Sequence, residues 1–363
     1  MSSKCSGCGA ILQNQDPAKP GFIPTLDENK KICKRCFKLM HYNELPKIVA
    51  TNKEYEKVID SVVKKKALMV FIIDIFAFKS TFHPMMIERL KHKDVILVAN
   101  KVDLLPKSTN FNHVIEWISK ECQRKQFHVL AVGICSAKKG VYMDEFIQTI
   151  DLARRERDVY FVGCANVGKS SVINALLRRT TSLEKDAIAT SVIPGTTLNE
   201  IRIPYFEDNC AFIDTPGLIN EHDVLNQLLP VSYATILPKK ELKPVTYQIT
   251  DGNTIFLGGL AALSFQTKGR ISVTVYASNE LYLHRCKTER VEPLFETQLG
   301  KLLTPPTLDE ISNLKYTVKI FQITGKKTIW FSGFGFVQIS GTVSVKIKYL
   351  EHTEVYVTDA ILG

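Results

Sequence analysis

Eight mid-chain residues have the types and spacing to hold phosphate: Gly163-Cys164-Ala165-Asn166-Val167-Gly168-Lys169-Ser170. They follow an apolar run, Val159 to Val162, and precede a helix-like segment, Ser171 to Arg178. A P-loop needs this strand–loop–helix setting. Small residues let backbone N–H groups close around a phosphate, and the lysine reaches the terminal phosphates. The serine hydroxyl ligates magnesium, and the helix N-terminus adds its positive end. Gly163, Asn166, Val167, Gly168, Lys169, Ser170 and Ser171 are therefore the expected phosphate-side residues, and the context favours a nucleotide site over a plain glycine turn.

Two further motifs speak to the base, and both precede the P-loop. Asn100-Lys101-Val102-Asp103 ends an apolar run and matches NKxD. Its aspartate can accept from the guanine N1–H and exocyclic amine, a pair of donors that adenine lacks, so the wrong base leaves the carboxylate unpaired. Asn100 is expected to orient the loop and Lys101 to lie against the purine. Ser136-Ala137-Lys138 ends the next apolar run, where its backbone can meet the guanine O6. Each match is weak alone; together with a P-loop they point to guanine.

Beyond the P-loop, the polar stretch Ser182 to Leu198 contains Pro194-Gly195-Thr196-Thr197. One of Thr196 and Thr197 is expected to complete the magnesium shell, with the choice open. Asp214-Thr215-Pro216-Gly217 follows a strand-like run; Asp214 would hold magnesium through water and the Gly217 N–H would meet the γ-phosphate.

A fourth constellation lies near the N-terminus, where Cys5-x-x-Cys8 and Cys33-x-x-Cys36 stand either side of a Pro- and Gly-rich stretch. Four thiolates in two knuckles fit one tetrahedral structural zinc, which leaves no open position for catalysis. The intervening stretch cannot pack alone and would depend on the metal. The alternatives are an iron–sulfur cluster or a redox pair. The chain has nine cysteines, an odd count that argues against a disulfide framework.

The elements that must position these residues alternate. Ala67–Asp74, Asp94–Asn100, Phe127–Cys135 and Val159–Val162 read as buried strands. Pro84–Lys91, Phe111–Arg124 and Val141–Arg154 read as helices, and Tyr42–Lys66 as a polar, Lys-rich connection. That rhythm predicts a parallel sheet covered on both faces. From about residue 221 the pattern turns to β-branched and alternating runs: Val273–Tyr276, Tyr316–Ile323, Val343–Tyr349 and Glu354–Val357. Short helices are expected at 291–299 and 308–314. Trp330, Phe331, Phe334 and Phe336 could stack bases, though sheet core is the more ordinary place for such residues.

Net charge is +10, which suggests an anionic partner or simply a soluble surface. Residues 1–50 carry eight Lys/Arg against four Asp/Glu, and residues 51–160 carry nineteen against fourteen. No apolar run approaches the roughly 18–20 residues of a membrane span. Cys5 arrives before any signal-peptide apolar segment could form. The expectation is a cytoplasmic protein with no membrane partner, an organellar precursor lacking its presequence being the alternative. A monomer is expected, with oligomeric state open.

Motif order adds the decisive point. A conventional GTPase has its P-loop first and NKxD nearly last; here the base-reading motifs come first, so the chain resembles a circularly permuted GTPase. With CxGCGxxLQ (Cys5 to Gln13) and CxRCF (Cys33 to Phe37) in front, it is similar to the YqeH family of ribosome-assembly GTPases. The likeness continues through Phe256-Leu257-Gly258-Gly259-Leu260, Leu303-Thr304-Pro305-Pro306-Thr307 and Phe331-Ser332-Gly333. It departs after Asp74-Ile75-Phe76, where the family usually has Asp then Asn-Gly-Ser and this chain has Ala77 and Lys79-Ser80.

The resemblance implies an α/β P-loop GTPase fold with permuted motif order, a small four-cysteine zinc finger before it and a β-rich domain after it. Expected boundaries are 1–45, 46–222 and 223–363. It implies GTP/GDP, magnesium and zinc as cofactors, and the small ribosomal subunit or its precursor, with its rRNA, as partner. The alternatives are a GTP-binding RNA scaffold or a GTPase of another RNA process such as tRNA modification. Leu218 stands where many GTPases carry a water-orienting glutamine, so intrinsic hydrolysis is expected to be slow. Asn166 matches the P-loop asparagine of potassium-activated GTPases, which makes potassium dependence a hypothesis.

Overall fold

The computed structural model describes residues 11–15, 22–24, 33, 52–179, 193–194 and 200–362. The chain divides into two compact units. Of the described residues, the first gathers those up to 75, 81–102 and those within 118–219; the second gathers 76–80, 103–117 and 220–362.

Among the described residues, the first unit is built on seven strands: β1 (Leu68–Asp74), β2 (Val95–Asn100), β3 (Ala131–Ile134), β4 (Val159–Val162), β5 (Ile193–Pro194), β6 (Ile201–Pro204) and β7 (Ala211–Asp214). They lie in the order β3-β2-β1-β4-β7-β6-β5. The run β3-β2-β1-β4-β7 is parallel, and β6 and β5 extend it antiparallel. Every residue of β1, β2 and β4 is buried, as expected of parallel strands covered on both faces. In such a sheet the loops at the strand C-termini form the ligand crevice. Asp74, Asn100, Ser136, Gly163 and Asp214 all stand at those ends.

The helices among the described residues are α1 (Asn52–Val62), α2 (Phe78–Thr81), α3 (Pro84–Leu90), α4 (Phe111–Arg124), α5 (Met143–Arg154) and α6 (Lys169–Leu177), before the chain reaches its β-rich part. Helix α1 corrects the sequence reading, which took this stretch for a polar connection. Tyr55, Val58, Ile59 and Val62 are its buried face, spaced three, four and seven residues from the first, as an amphipathic helix requires. The third strand is shorter than expected. Phe127 donates its N–H to the Cys122 carbonyl and closes the end of α4 instead of extending β3.

The second unit contains two five-stranded antiparallel sheets. One runs β12-β9-β10-β16-β13, from β9 (Asn253–Leu257), β10 (Ala261–Gln266), β12 (Leu283–Lys287), β13 (Tyr316–Ile323) and β16 (Val343–Leu350). The other runs β17-β14-β15-β11-β8, from β8 (Val245–Ile249), β11 (Ile271–Tyr276), β14 (Lys326–Phe331), β15 (Gly335–Ser340) and β17 (Val355–Asp359). Alternate residues of both sheets, among them Ile255, Leu263, Ile347, Val273, Ile329 and Val337, form one core. Shorter helices α7 (Pro230–Ile236), α8 (Val291–Gln298) and α9 (Leu308–Ile311) complete the unit.

The aromatic residues of this unit are core. Trp330, Phe331, Phe334 and Phe336 are each 2% exposed or less, so none offers a face to a base. Phe331 and Phe334 belong to the inner core. Trp330 and Phe336 lie on the opposite face of their sheet, with ring centroids 4.6 Å apart. Phe78 and Trp117 pack against Trp330 at 6.1 and 5.9 Å. Trp117 also donates its indole N–H to the Asp359 carbonyl at 3.1 Å. The short segments carrying Phe78 and Trp117 thus cover the outer face of the second sheet.

Candidate nucleotide site

The phosphate loop leaves β4 and enters α6 directly. Its two sharpest turns fall on Asn166 (φ 63°) and Gly168 (φ 96°). Asparagine tolerates the left-handed region better than most residues, and at Gly168 any Cβ would also collide with the Asn100 amide. Gly163 contributes a carbonyl, and Val167 is buried and fixes the loop's inner wall. Lys169 opens α6 and is only 7% exposed. Its ammonium donates to the Gly163 and Cys164 carbonyls at 3.1 and 2.9 Å. Burial pushes its pKa down, opposed by the charge of Asp214. Asn166 and Ser171 are exposed beside it.

Ser170, the next helical residue, meets the end of β7. Its hydroxyl donates to Asp214 Oδ2 at 2.6 Å, and Asp214 is fully buried. A hydroxyl and a carboxylate at this distance form a hard-oxygen pair that suits magnesium better than a softer metal. Thr215 turns away, donating to the Phe161 carbonyl at 2.7 Å. Gly217 then lies against the phosphate loop. A Cβ there would stand 2.6 Å from Ala165 Cα and 2.8 Å from Lys169 Nζ, so no larger residue fits.

The base-reading loops are locked to the phosphate loop through Asn100. Its amide donates to the Val167 carbonyl at 2.9 Å, and its Oδ1 accepts from the Ala137 N–H at 3.1 Å. One buried side chain therefore joins all three loops, as its expected orienting role requires. Ser136 is fully buried and accepts from the Lys139 N–H at 3.0 Å, while Lys138 is exposed. Lys101 has a left-handed backbone (φ 69°) and pairs with Asp74 at 2.5 Å. Asp103 lies in the 3-10 turn Val102–Leu104 that follows β2.

Three participants escaped the sequence reading. Asp74 was visible only as a strand end, yet it steers Lys101. Tyr55 is 1% exposed, and its hydroxyl donates to Met86 Sδ at 2.7 Å. Burial, then the neighbouring Cys164, holds its pKa well above the ordinary value. Asn52 makes reciprocal bonds with Ile219: Ile219 N–H donates to Oδ1 at 2.9 Å, and Nδ2 donates to the Ile219 carbonyl at 3.0 Å. The helical spacing of α1 could have found Tyr55. Nothing in the sequence singles out Asn52.

Leu218 is 4% exposed and forms a parallel bridge with Cys164. Its buried, apolar side chain has no group that orients water. Thr196 and Thr197 lie outside the described residues, as do Cys5, Cys8 and Cys36; Cys33 is buried. No helix among the described residues is long and apolar enough to cross a membrane.

The site's resemblances extend to whole chains. Residues 158–247 match the family described as "50S ribosome-binding GTPase", and residues 270–361 match "YqeH-like, C-terminal". The first match starts at the P-loop strand and leaves out the base-reading motifs, as a permuted order demands. The chain is 37% identical over 339 residues to the uncharacterized protein YqeH of Bacillus subtilis (strain 168), covering 92% of each. It is 31% identical over 351 residues to NO-associated protein 1, chloroplastic/mitochondrial, of Arabidopsis thaliana. That alignment covers 84% of this chain and 62% of the relative's length. Among solved structures, YjeQ from Thermotoga maritima aligns at 19% identity and a TM-score of 0.26, over 42% of this chain and 48% of its own, too slight a likeness to bear on the fold.

Proposed function

The chain belongs to the YqeH family of GTPases, and we propose that its GTP cycle is a switch in assembly of the small ribosomal subunit. The observation that carries the nucleotide reading is the convergence of Lys169, Ser170, Asp214 and Asn100 at one edge of the sheet. Water attacks the γ-phosphoryl of GTP, and the protein contributes position and charge rather than covalent chemistry.

Asn100 holds the base loop, Lys101 lies along the purine, and Asp103 accepts from the guanine edge. Ser136, Ala137 and Lys138 close over O6. Lys169 and the N–H groups from Gly163 to Ser171 take the phosphates. Ser170 and Asp214, with Thr196 or Thr197, hold magnesium, which when bound offsets phosphate charge. Gly217 meets the γ-phosphate. With Leu218 unable to orient water, turnover waits on a stimulating partner or on potassium beside Asn166. Cys5, Cys8, Cys33 and Cys36 hold a structural zinc, and the three segments 1–45, 46–222 and 223–363 act as zinc-binding, GTPase and ribosome-contacting domains of a cytoplasmic protein.

For rRNA contact in the second unit, the buried aromatics give no support. A cleft of about 670 Å³ lined by Lys268, Arg270, Thr267 and Gln322 suits a phosphate backbone better. Replacing Lys268 and Arg270 by glutamate is expected to lower the salt dependence of RNA binding by about two counterions.

Sedimentation with separated ribosomal subunits tests the whole reading. The protein is expected to travel with the small subunit in one nucleotide state, GDP or a non-hydrolysable GTP analogue, and to leave it in the other. Co-sedimentation with the large subunit would instead favour a role on that subunit, in keeping with the match to the 50S ribosome-binding GTPase family.

A further inference from the structure

The geometry points to a built-in restraint on GTP binding: Asn52 is a positioning residue that straps the exit of the Asp214–Gly217 segment onto the phosphate loop. This rests on the reading of Gly217 as the γ-phosphate contact.

Three successive residues make the strap. Gly217 packs on Ala165 and the Lys169 ammonium with no space for a Cβ. Leu218 pairs with the loop on both sides: Ala165 N–H donates to the Leu218 carbonyl at 2.7 Å, and Leu218 N–H donates to the Gly163 carbonyl at 3.2 Å. Ile219 is then clamped by the two Asn52 bonds, in which the carboxamide supplies a donor and an acceptor as a neighbouring strand would. Asn52 does not float. It stands three residues before Tyr55, which is buried beneath the loop, and positions i and i+3 share a helix face.

The restraint has a chemical signature. Lys169 spends its ammonium on the Gly163 and Cys164 carbonyls, with Gly217 covering it. A γ-phosphate needs that ammonium and must part Gly217 from Ala165. GDP needs neither. Breaking the strap therefore charges GTP binding and spares GDP, and only such differential affinity shifts a two-state equilibrium. A partner that displaced α1 would raise the GTP-bound population without touching the nucleotide.

The test uses the full chain and measures affinity for GDP and for a non-hydrolysable GTP analogue with magnesium. In Asn52→Ala the ratio is expected to move about fivefold towards the analogue, the order of one or two ordinary hydrogen bonds. Asn52 opens a helix, so a variant could act through helix stability. Asn52→Asp suits the helix start but loses the donor to Ile219, and is expected to shift the ratio in the same direction. An unmoved ratio in both variants overturns the clamp. Gly217→Ala separates the two readings: it should weaken the analogue more than GDP. If it leaves the ratio alone, the γ-phosphate assignment has failed, and the clamp with it.

Discussion

The base-reading half of the site and the phosphate-sensing half are held by different kinds of bond. Around the base, one buried carboxamide joins three loops, and Lys101 is steered by Asp74. Around the γ-phosphate position, the contacts are backbone pairs between two loops and a clamp on an exposed stretch of chain. Leaving a buried donor or acceptor unpaired costs about 1–3 kcal/mol, whereas an ordinary bond that water can replace contributes about 0.5–1.5 kcal/mol. The buried Asn100 bonds are thus the costlier to break, and the exposed Asn52–Ile219 clamp the one that our proposal has GTP open.

The largest expected effect falls at the boundary of the halves. Lys169→Ala should lower multiple-turnover GTP hydrolysis by about 100-fold or more, the order seen when a donor to developing charge is removed. Substantial turnover without this lysine would instead favour a scaffold in which GTP is a structural ligand.

Asn100→Ala should weaken GDP and the GTP analogue alike, by about 30-fold, and lower unfolding stability by about 2 kcal/mol, because the Val167 carbonyl and Ala137 N–H lose their shared partner. Calorimetric titration and chemical denaturation would check both. A loss confined to the analogue would break the proposed division of labour.

Asp74→Asn leaves Lys101 with a neutral partner and should cost about fivefold in affinity for both nucleotides. Equal losses for GDP and the analogue keep Asp74 in the fixed half. Smallest is the ion effect: hydrolysis is expected to run a few-fold faster in potassium than in sodium, and Asn166→Ala should erase the difference. Equal rates in both salts, with the variant no slower, would remove potassium from the mechanism.

Much of this site was legible as spacing. The P-loop, Asp214–Gly217, Asn100–Asp103 and Ser136–Lys138 are short local patterns tied to strand ends, and the sheet brings the described ones to the C-terminal ends of its strands. Phe111–Arg124 and Tyr316–Ile323 were legible to the residue from their periods of 3.6 and two. What stayed hidden was long-range. Asn52 bonds to a residue 167 positions away, and no local pattern encodes that. Tyr55 was concealed for a different reason: the lysines and glutamates of α1's exposed face made the stretch look like a connector. Trp330 and Phe336 could be core or base-stacking until Phe78 and Trp117, from far upstream, were seen to pack on Trp330 and Tyr276 to stack on Phe336.

That cover also bears on modularity. Residues 220–363 look in sequence like a detachable module, but their packing partners include 76–80 and 103–117. A fragment begun at 220 would leave Trp330 without the Phe78 and Trp117 rings that pack on it. On the ribosome the order is reversed: Phe78 and Trp117 are synthesised more than two hundred residues before Trp330, so they must wait for most of the remaining chain before their surroundings exist. The C-terminal strands are separable in sequence but not in folding.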